Sequence, residues 1–232
     1  MDTTRIAELL QPFLGTADGQ RLTANDLFNI STYIDLLLRW NARINLTAIR
    51  QPEEIVTRHF GESLFAARHL FPRVARAPSP ASASQSDPTA PGHALRLLDV
   101  GSGAGFPGLP IKVWATLIHL TLIESNHKKA TFLREVARAL TLTNVNVFPG
   151  RAEDYPNPPA EVVTLRAVER FETTLPTAAS LTAPNGRLAL LISESQLART
   201  YALAPRFVWL KPLSVPLSSS RILLLGIRKP EE

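Results

Sequence analysis

The sequence contains no cysteine, and this absence narrows the chemistry that the protein can perform. Without cysteine there are no disulfides, no thiolate metal ligands and no cysteine nucleophile. No apolar run approaches the roughly 18 residues that a membrane-spanning helix requires. The amino-terminal residues also lack the basic region, apolar stretch and small-residue cleavage site of a secretory signal. We therefore predict a cytoplasmic protein with no membrane partner and no metal site.

The composition is that of an ordinary globular protein. Of 232 residues, 45% are hydrophobic and 19% are charged, which is enough to build a sizeable core. Residues 1–93 carry nine arginines and nine acidic residues, so the whole net charge of +5 lies in residues 94–232. A basic surface suits a polyanionic partner such as RNA. A solvated surface without a partner explains the same charge equally well.

The chain divides at a segment rich in proline, alanine and serine. Residues 77–92 have no apolar periodicity and cannot repay the entropy of ordering by burial. We therefore predict a helical segment over residues 1–76, a flexible linker over 77–93 and a second domain over 94–232. We also predict a monomer.

Apolar spacing before the linker predicts helices. An amphipathic helix is expected to start at Thr23, which forms a capping pair with Asp26, and to carry apolar residues as far as Ile44. The stretch from Glu53 to Phe71 follows a proline at a helix start and repeats the pattern, and Ile6 to Leu14 is a shorter candidate.

After the linker, short strand-like runs alternate with helical stretches. This alternation predicts a doubly wound α/β fold with helices on both faces of a mostly parallel, seven-stranded sheet. The connection between the last two runs is too short for a crossover helix, so that pair should be antiparallel. The candidate strands are residues 95–100, 119–124, 144–149, 161–166, 187–192, 206–211 and 221–227.

A glycine-rich loop, DVGSGAGFPG at 99–108, follows the first predicted strand. In a doubly wound sheet this turn lies at the ligand-binding edge, where Gly101 and Gly103 would let a ligand approach the backbone. The bulky Phe106 breaks the GxGxxG pattern of dinucleotide sites, which leaves an NAD-dependent oxidoreductase as a distant alternative. We expect the Asp99 carboxylate to complement a ligand that carries an ammonium and a sulfonium.

The second predicted strand also ends in an acid. Glu124 is placed to accept hydrogen bonds from ribose hydroxyls, and Ser125 and Asn126 follow in the same loop. A helix-capping role for Glu124 is the structural alternative.

Several segments together resemble one family. DVGSGAGFPGLPIK, IESNHKKATFLREVARAL, NVNVFPGRAED and VTLRAVERF, in this order and spacing, resemble the bacterial 16S ribosomal RNA guanine-N7 methyltransferase G family, also called the glucose-inhibited division protein B family. LLLRWNARINLTAIR at 36–50 and RHFGESL at 58–64 resemble its helical amino-terminal segment. The resemblance implies a class I, Rossmann-like methyltransferase fold, S-adenosylmethionine as cofactor, and 16S ribosomal RNA or the small ribosomal subunit as partner.

The resemblance also implies roles for individual residues. Gly101 and Phe106 would contact the cofactor from the loop, and Ala152 with Glu153 would lie along the adenine edge. Arg166, from LRAV at the end of the fourth strand, corresponds to an arginine at the active site.

Methyl transfer to guanine N7 uses an unprotonated lone pair, so no general base is expected. We predict that Arg166 positions cofactor or substrate, although a salt bridge to an acid such as Glu169 would also explain it. His59 is expected to be structural or to position the substrate.

Two departures from the family pattern bear on the substrate. The family's HxxDS motif appears here as His59, Glu62 and Ser63, with a longer acid. ISESQL at 192–197 stands where many relatives have a lysine followed by glycine, so any role of that lysine is absent here or performed by another residue, and we do not expect RNA contacts near this segment.

Three questions therefore stay open: the identity of the methyl acceptor, whether the protein is catalytic, and whether its basic residues contact RNA. The chain could be a methyltransferase with another acceptor, or a noncatalytic RNA-binding or assembly protein on the same fold. The basic residues on the helices could equally contact phosphate or be merely solvated. They are Lys128, Lys129, Arg134, Arg138, Arg39, Arg43, Arg50 and Arg58.

Overall fold

A computed structural model of the chain describes residues 1–15, 21–72, 95–166 and 170–230. The predicted linker at 77–93 and Glu169 lie outside these ranges, so the predicted division into segments stays a prediction.

The centre of the structure is a mixed β-sheet. Its strands run in the order β3-β2-β1-β4-β5-β8-β6, and the short β7 pairs with β8. Neighbours from β3 to β5 are parallel, whereas β8 is antiparallel to β5, β6 and β7. The strands are β1 (Arg96–Val100), β2 (His119–Ile123), β3 (Val145–Phe148), β4 (Ala160–Arg166), β5 (Thr182–Ser193), β6 (Phe207–Trp209), β7 (Leu213–Ser214) and β8 (Arg221–Arg228).

All seven predicted strands are therefore present, and the antiparallel pairing of the last two predicted strands is confirmed. The sheet has eight strands because Leu213–Ser214 adds a two-residue edge strand that pairs with Leu223 and Ile222. Two residues are too short to show an alternating pattern, so this strand has no signal in the sequence.

The helices also follow the sequence closely. The capping pair forms as predicted, since the Asp26 amide donates to Thr23 Oγ1 at 3.1 Å and the Thr23 amide donates to the Asp26 carboxylate at 2.9 Å. The first two helices end earlier than their apolar residues do, at Leu10 and Asn41. The helices are α1 (Thr3–Leu10), α2 (Ala24–Asn41), α3 (Pro52–Ile55), α4 (Glu62–Leu70), α5 (Gly108–Trp114), α6 (His127–Ala139), α7 (Phe171–Ser180) and α8 (Leu197–Leu203).

A wider π-helical turn at Val56–Gly61 joins α3 to α4. The helical stretch predicted from Glu53 to Phe71 is therefore continuous but not uniform.

Hydrophobic residues pack on both faces of the sheet. Successive strand residues point to opposite faces, so Leu97 joins one core and Leu98 the other. The first core also contains the amino-terminal helices: the Tyr33 ring stacks on Phe106 at 5.3 Å between centroids and meets Phe60 edge-on at 5.2 Å. This shared core fixes the amino-terminal helices beside the glycine-rich loop.

Within the described ranges, none of the helices has both the length and the apolar character needed to cross a membrane.

Candidate functional site

A cavity of about 730 Å³ lies at the carboxyl ends of the parallel strands. The glycine-rich loop and the loops after β2 and β3 form one side, and residues from the amino-terminal segment form the other. Every residue predicted to bind the cofactor lines this cavity. They are Gly101, Gly103, Phe106, Glu124, Ser125, Asn126, Ala152, Glu153 and Arg166. The structure thus brings the predicted residues together, and their binding role stays a prediction.

Glycine is required at two positions of the loop for different reasons. Gly103 has a φ of 57°, a left-handed conformation that side chains other than glycine rarely adopt. Gly105 has a φ of 90°, and a Cβ there would overlap Tyr33 Oη and lie 2.6 Å from Leu109 Cδ1. The loop therefore exposes backbone to the cavity on one side and packs tightly against the helices on the other.

The structure corrects our expectation for Asp99. Its side chain is 1% exposed and does not line the cavity. One carboxylate oxygen accepts from the Gly108 amide at 3.1 Å and the other from Thr164 Oγ1 at 2.8 Å. Burial raises the pKa of Asp99 to about 6, although these hydrogen bonds act in the opposite direction. Asp99 fixes the loop to α5 and to β4 and has no access to a cationic ligand.

Glu124 joins two loops at the cavity wall. Its Oε2 accepts from the Gly103 amide at 2.8 Å, and its Oε1 accepts from the Asn126 amide at 2.8 Å. The helix-capping role that we considered for Glu124 is instead performed by Asn126. Asn126 Oδ1 accepts from the Lys128 amide at 3.0 Å at the start of α6. A carboxylate has about four acceptor positions, so Glu124 retains lone pairs for a ligand.

Leu46 and Thr47 also line the cavity, and we did not predict them as site residues. They follow α2 in a loop that Asn41 fixes. Asn41 Oδ1 accepts from the amides of Leu46 at 2.9 Å and Thr47 at 3.0 Å, and Asn41 Nδ2 donates to the Thr47 carbonyl at 2.9 Å. The signal for these residues was the WN..INLT segment, which contains both the asparagine and the loop that it holds.

His59 connects the two sides of the cavity. Its Nδ1 lies 3.0 Å from Arg166 Nη1, its Nε2 lies 2.8 Å from Thr47 Oγ1, and its ring stacks on Phe106 at 4.7 Å. Because a guanidinium only donates, Nδ1 must accept, and we assign the ring proton to Nε2. Burial, reinforced by the nearby arginines, lowers the pKa of His59 to about 3. The imidazole is therefore neutral and held in one tautomer.

Glu62 is the acid that pairs with Arg166. Its side chain is 2% exposed, and its carboxylate lies 3.0 Å from Arg166 Nη2, 3.2 Å from Arg221 Nη2 and 3.6 Å from Arg58 Nε. Arg166 Nη2 also donates to the Arg58 carbonyl at 2.7 Å. The longer acid of this chain thus binds three arginines, and Arg166 both forms an ion pair and lines the cavity.

Further basic residues lie at the cavity. Lys129, one of the predicted RNA contacts, lines it together with Arg151 and Arg170, which we did not predict. Across the described ranges no acidic group pairs with any of these three side chains. Arg58, by contrast, is already paired with Glu62, so it is less available to a ligand.

The ISESQL segment carries no basic residue near the cavity. It forms a short 3₁₀ turn, in which Ser193 and Gln196 cap each other, and leads into α8. In the parts of the chain that the structure describes, no cluster of three or more histidine or acidic residues could hold a metal.

Solved structures with a similar arrangement identify the class of fold. Ribosomal protein L11 methylase from Lactobacillus delbrueckii subsp. bulgaricus superposes with a TM-score of 0.55 at 13% identity, covering 74% of this chain and 79% of that one. The [4+2]-cyclase SpnF superposes with a TM-score of 0.51 at 16% identity, covering 60% of this chain and 76% of that one. The doubly wound sheet with its glycine loop is the Rossmann-like fold of the class I S-adenosylmethionine-dependent methyltransferases. Similarity at this level shows the fold and leaves the reaction open.

Sequence comparison identifies the family. Residues 26–75 and 82–217 match the family model described as rRNA small subunit methyltransferase G. Ribosomal RNA small subunit methyltransferase G from Streptococcus pyogenes serotype M12 (strain MGAS2096) is 37% identical over 160 residues, which are 67% of this chain. The chain belongs to this family, and it spans 60% of the length of that relative.

Proposed function

We propose that the protein transfers a methyl group from S-adenosylmethionine to N7 of a guanine in 16S ribosomal RNA, with the free RNA or the small ribosomal subunit as its partner. One observation carries this proposal: the family segments from both halves of the chain meet at a single cavity. Thr47 and His59 come from the amino-terminal segments, and the glycine loop and Arg166 come from the α/β part. The cytoplasm is the compartment in which such a substrate occurs.

The cavity suits the proposed cofactor. The backbone at Gly101 and Gly103 adopts positive φ angles without side chains, which leaves room for close approach. Glu124 retains acceptor positions for hydroxyl groups, and Ala152 and Glu153 line the cavity next to them. When bound, S-adenosylmethionine supplies an activated methyl group to a nucleophile that has a lone pair and no proton to lose.

The side chains at the cavity suit a reaction that needs no general base. Both nitrogens of His59 are hydrogen bonded, and its pKa of about 3 leaves it neutral near pH 7. Arg166 is held by Glu62 and His59 in one orientation, which suits a positioning role. Catalysis then rests on alignment of the reacting groups and exclusion of water.

The charge at the cavity suits a polyanionic substrate. Lys129, Arg151 and Arg170 surround the space beside the proposed cofactor site, and among the described residues they have no acidic partners. Lysine and arginine contacts to phosphate supply most of the sequence-independent affinity for nucleic acid. We also propose that the protein acts as a monomer.

The test is transfer of labelled methyl from S-adenosylmethionine to small-subunit particles that lack N7 methylation, followed by nuclease digestion and identification of the labelled nucleoside. We expect label in 7-methylguanosine, lost in Gly101→Asp, because Gly101 has a φ of 68°, and lost in Arg166→Ala.

Cofactor binding without label in RNA would refute the ribosomal acceptor and favour another methyl acceptor. Absence of cofactor binding, measured as no thermal shift with S-adenosylmethionine, would favour a noncatalytic protein.

A further inference from the structure

The Thr47 hydroxyl has an unusual set of hydrogen bonds. Its Oγ1 accepts from the Ile49 amide at 3.1 Å and lies 2.8 Å from His59 Nε2, which carries the ring proton. A hydroxyl has two acceptor positions and one proton to donate. Both acceptor positions are therefore occupied, whereas no described residue accepts the Thr47 proton.

The surroundings hold this arrangement in place. Asn41 binds the backbone of Thr47 on both its amide and its carbonyl. Arg166 donates to His59 Nδ1, which keeps the proton of the imidazole on Nε2. Thr47 lines the cavity, so a ligand bound there can accept its free proton. Most hydroxyls can donate or accept as required, but this one can only donate.

We propose that the Thr47 hydroxyl donates to O6 of the target guanine and so selects guanine over adenine. This inference rests on the proposed function. Both purines offer N7 as a nucleophile, so N7 alone cannot distinguish them. At position 6 guanine presents an acceptor oxygen and adenine an amino donor. A hydroxyl that only donates can form a hydrogen bond with guanine O6. It cannot form one with the amino group of adenine, because both groups are then donors.

The role is one of selection and not of acceleration. Methylation at N7 puts positive charge on the purine and weakens O6 as an acceptor, so this hydrogen bond is retained in part in the transition state and does not strengthen there. Only interactions that strengthen in the transition state raise the rate of the chemical step. Thr47 is therefore a specificity residue that selects the base. The rate of methyl transfer depends on the alignment of the reacting groups.

The test uses small subunits reconstituted with 16S ribosomal RNA that carries either guanine or 2-aminopurine at the methylated position. 2-Aminopurine retains N7 and lacks O6. We expect the Thr47 hydroxyl to contribute about tenfold to the preference for guanine in kcat/KM, the scale of one neutral hydrogen bond. In Thr47→Val, which keeps the shape and loses the hydroxyl, the ratio of the two kcat/KM values should fall about tenfold below that of the wild type. Thr47→Ser retains the hydroxyl and should retain the preference.

A purely structural role gives a different result. Thr47→Val also leaves the His59 and Ile49 donors without their acceptor, and a general disturbance would lower kcat/KM for both substrates equally. A preference for guanine that is unchanged in Thr47→Val overturns the proposal. If Thr47→Val fails to fold, Thr47→Cys replaces the hydroxyl by a thiol, which is a poor donor and a weak acceptor, and the same ratio decides.

Two other outcomes are separable. A Thr47→Val protein with an unchanged ratio and a higher Kd for S-adenosylmethionine would show that the hydroxyl binds the cofactor, which also overturns the proposal. A wild-type protein that methylates no guanine N7 would instead refute the proposed function itself.

Discussion

Replacement of Glu62 by glutamine should destabilise the protein strongly, because this carboxylate is the anion that the structure shows among three arginines. Glu62 is 2% exposed, and the side chains of its partners Arg166 and Arg221 are 10% and 20% exposed. Glu62→Gln keeps the size of the side chain and removes its charge. The guanidinium groups of Arg166 and Arg221 would then lie close together in a largely buried environment, beside a neutral His59.

The expected magnitude follows from this burial. Removing one partner of a buried ion pair costs about 3 to 5 kcal/mol, because the remaining charge stays buried without compensation. We expect about 3 kcal/mol, the lower end, since Arg166 keeps its hydrogen bonds to His59 and to the Arg58 carbonyl. Arg58 itself is half exposed and adds little. For a protein of this size, that loss lowers the Tm by about 10 °C.

Thermal unfolding followed by circular dichroism measures the effect, with Glu161→Gln as the matched control. Glu161 pairs with Arg96 at 2.8 Å, but the two side chains are 31% and 41% exposed, so its loss should cost about 1 kcal/mol or less. Glu62→Asp keeps the charge and should lie between wild type and Glu62→Gln. Equal Tm shifts for Glu62→Gln and Glu161→Gln would refute the reasoning, because burial would then not determine the cost.

Three further predictions follow from the site. Gly105→Ala should lower the Tm by several degrees, because its Cβ would overlap Tyr33 Oη at a φ of 90°; an unchanged Tm would contradict the close packing. Burial raises the pKa of Asp99 from 3.8 to about 6 in the folded state, so its contribution to stability falls by about 2 kcal/mol as pH rises from 4 to 6. Denaturant titrations at several pH values should show this loss in wild type relative to Asp99→Asn, and parallel pH profiles would exclude it. Combined replacement of Lys129 and Arg151 by alanine should reduce the salt dependence of RNA binding by about 1 to 2 units of logarithmic slope.

The helices and strands could be predicted from the sequence where neighbouring residues alone determine them. The capping box at Thr23 and the alternating strand patterns need only neighbouring residues, so the helix start and seven strands were predicted correctly. The strand Leu213–Ser214 was missed because its pairing with β8, and not its sequence, makes it a strand.

The site was predictable on one side of the cavity. Glycines and acids that follow strands meet at the same sheet edge by topology, which explains why Gly101 and Glu124 line the same cavity. The direction in which Asp99 points was not predictable, because it depends on Thr164 in another strand. The contact of His59 with Arg166 spans 107 residues and has no local signal.

The contact of Arg166 with the amino-terminal segment also involves the backbone of the π-helical turn at Val56–Gly61. A turn of this kind widens the backbone, and such turns are frequent at functional sites. Here two carbonyls within the turn accept hydrogen bonds from side chains. The Arg58 carbonyl accepts from Arg166 Nη2 at 2.7 Å, and the His59 carbonyl accepts from Ser63 Oγ at 2.6 Å. Arg166 thus stabilises the helix geometry that carries its own partners. Apolar periodicity predicts a helix from Glu53 onward but cannot show this widened turn, because the donor that stabilises it comes from the end of β4.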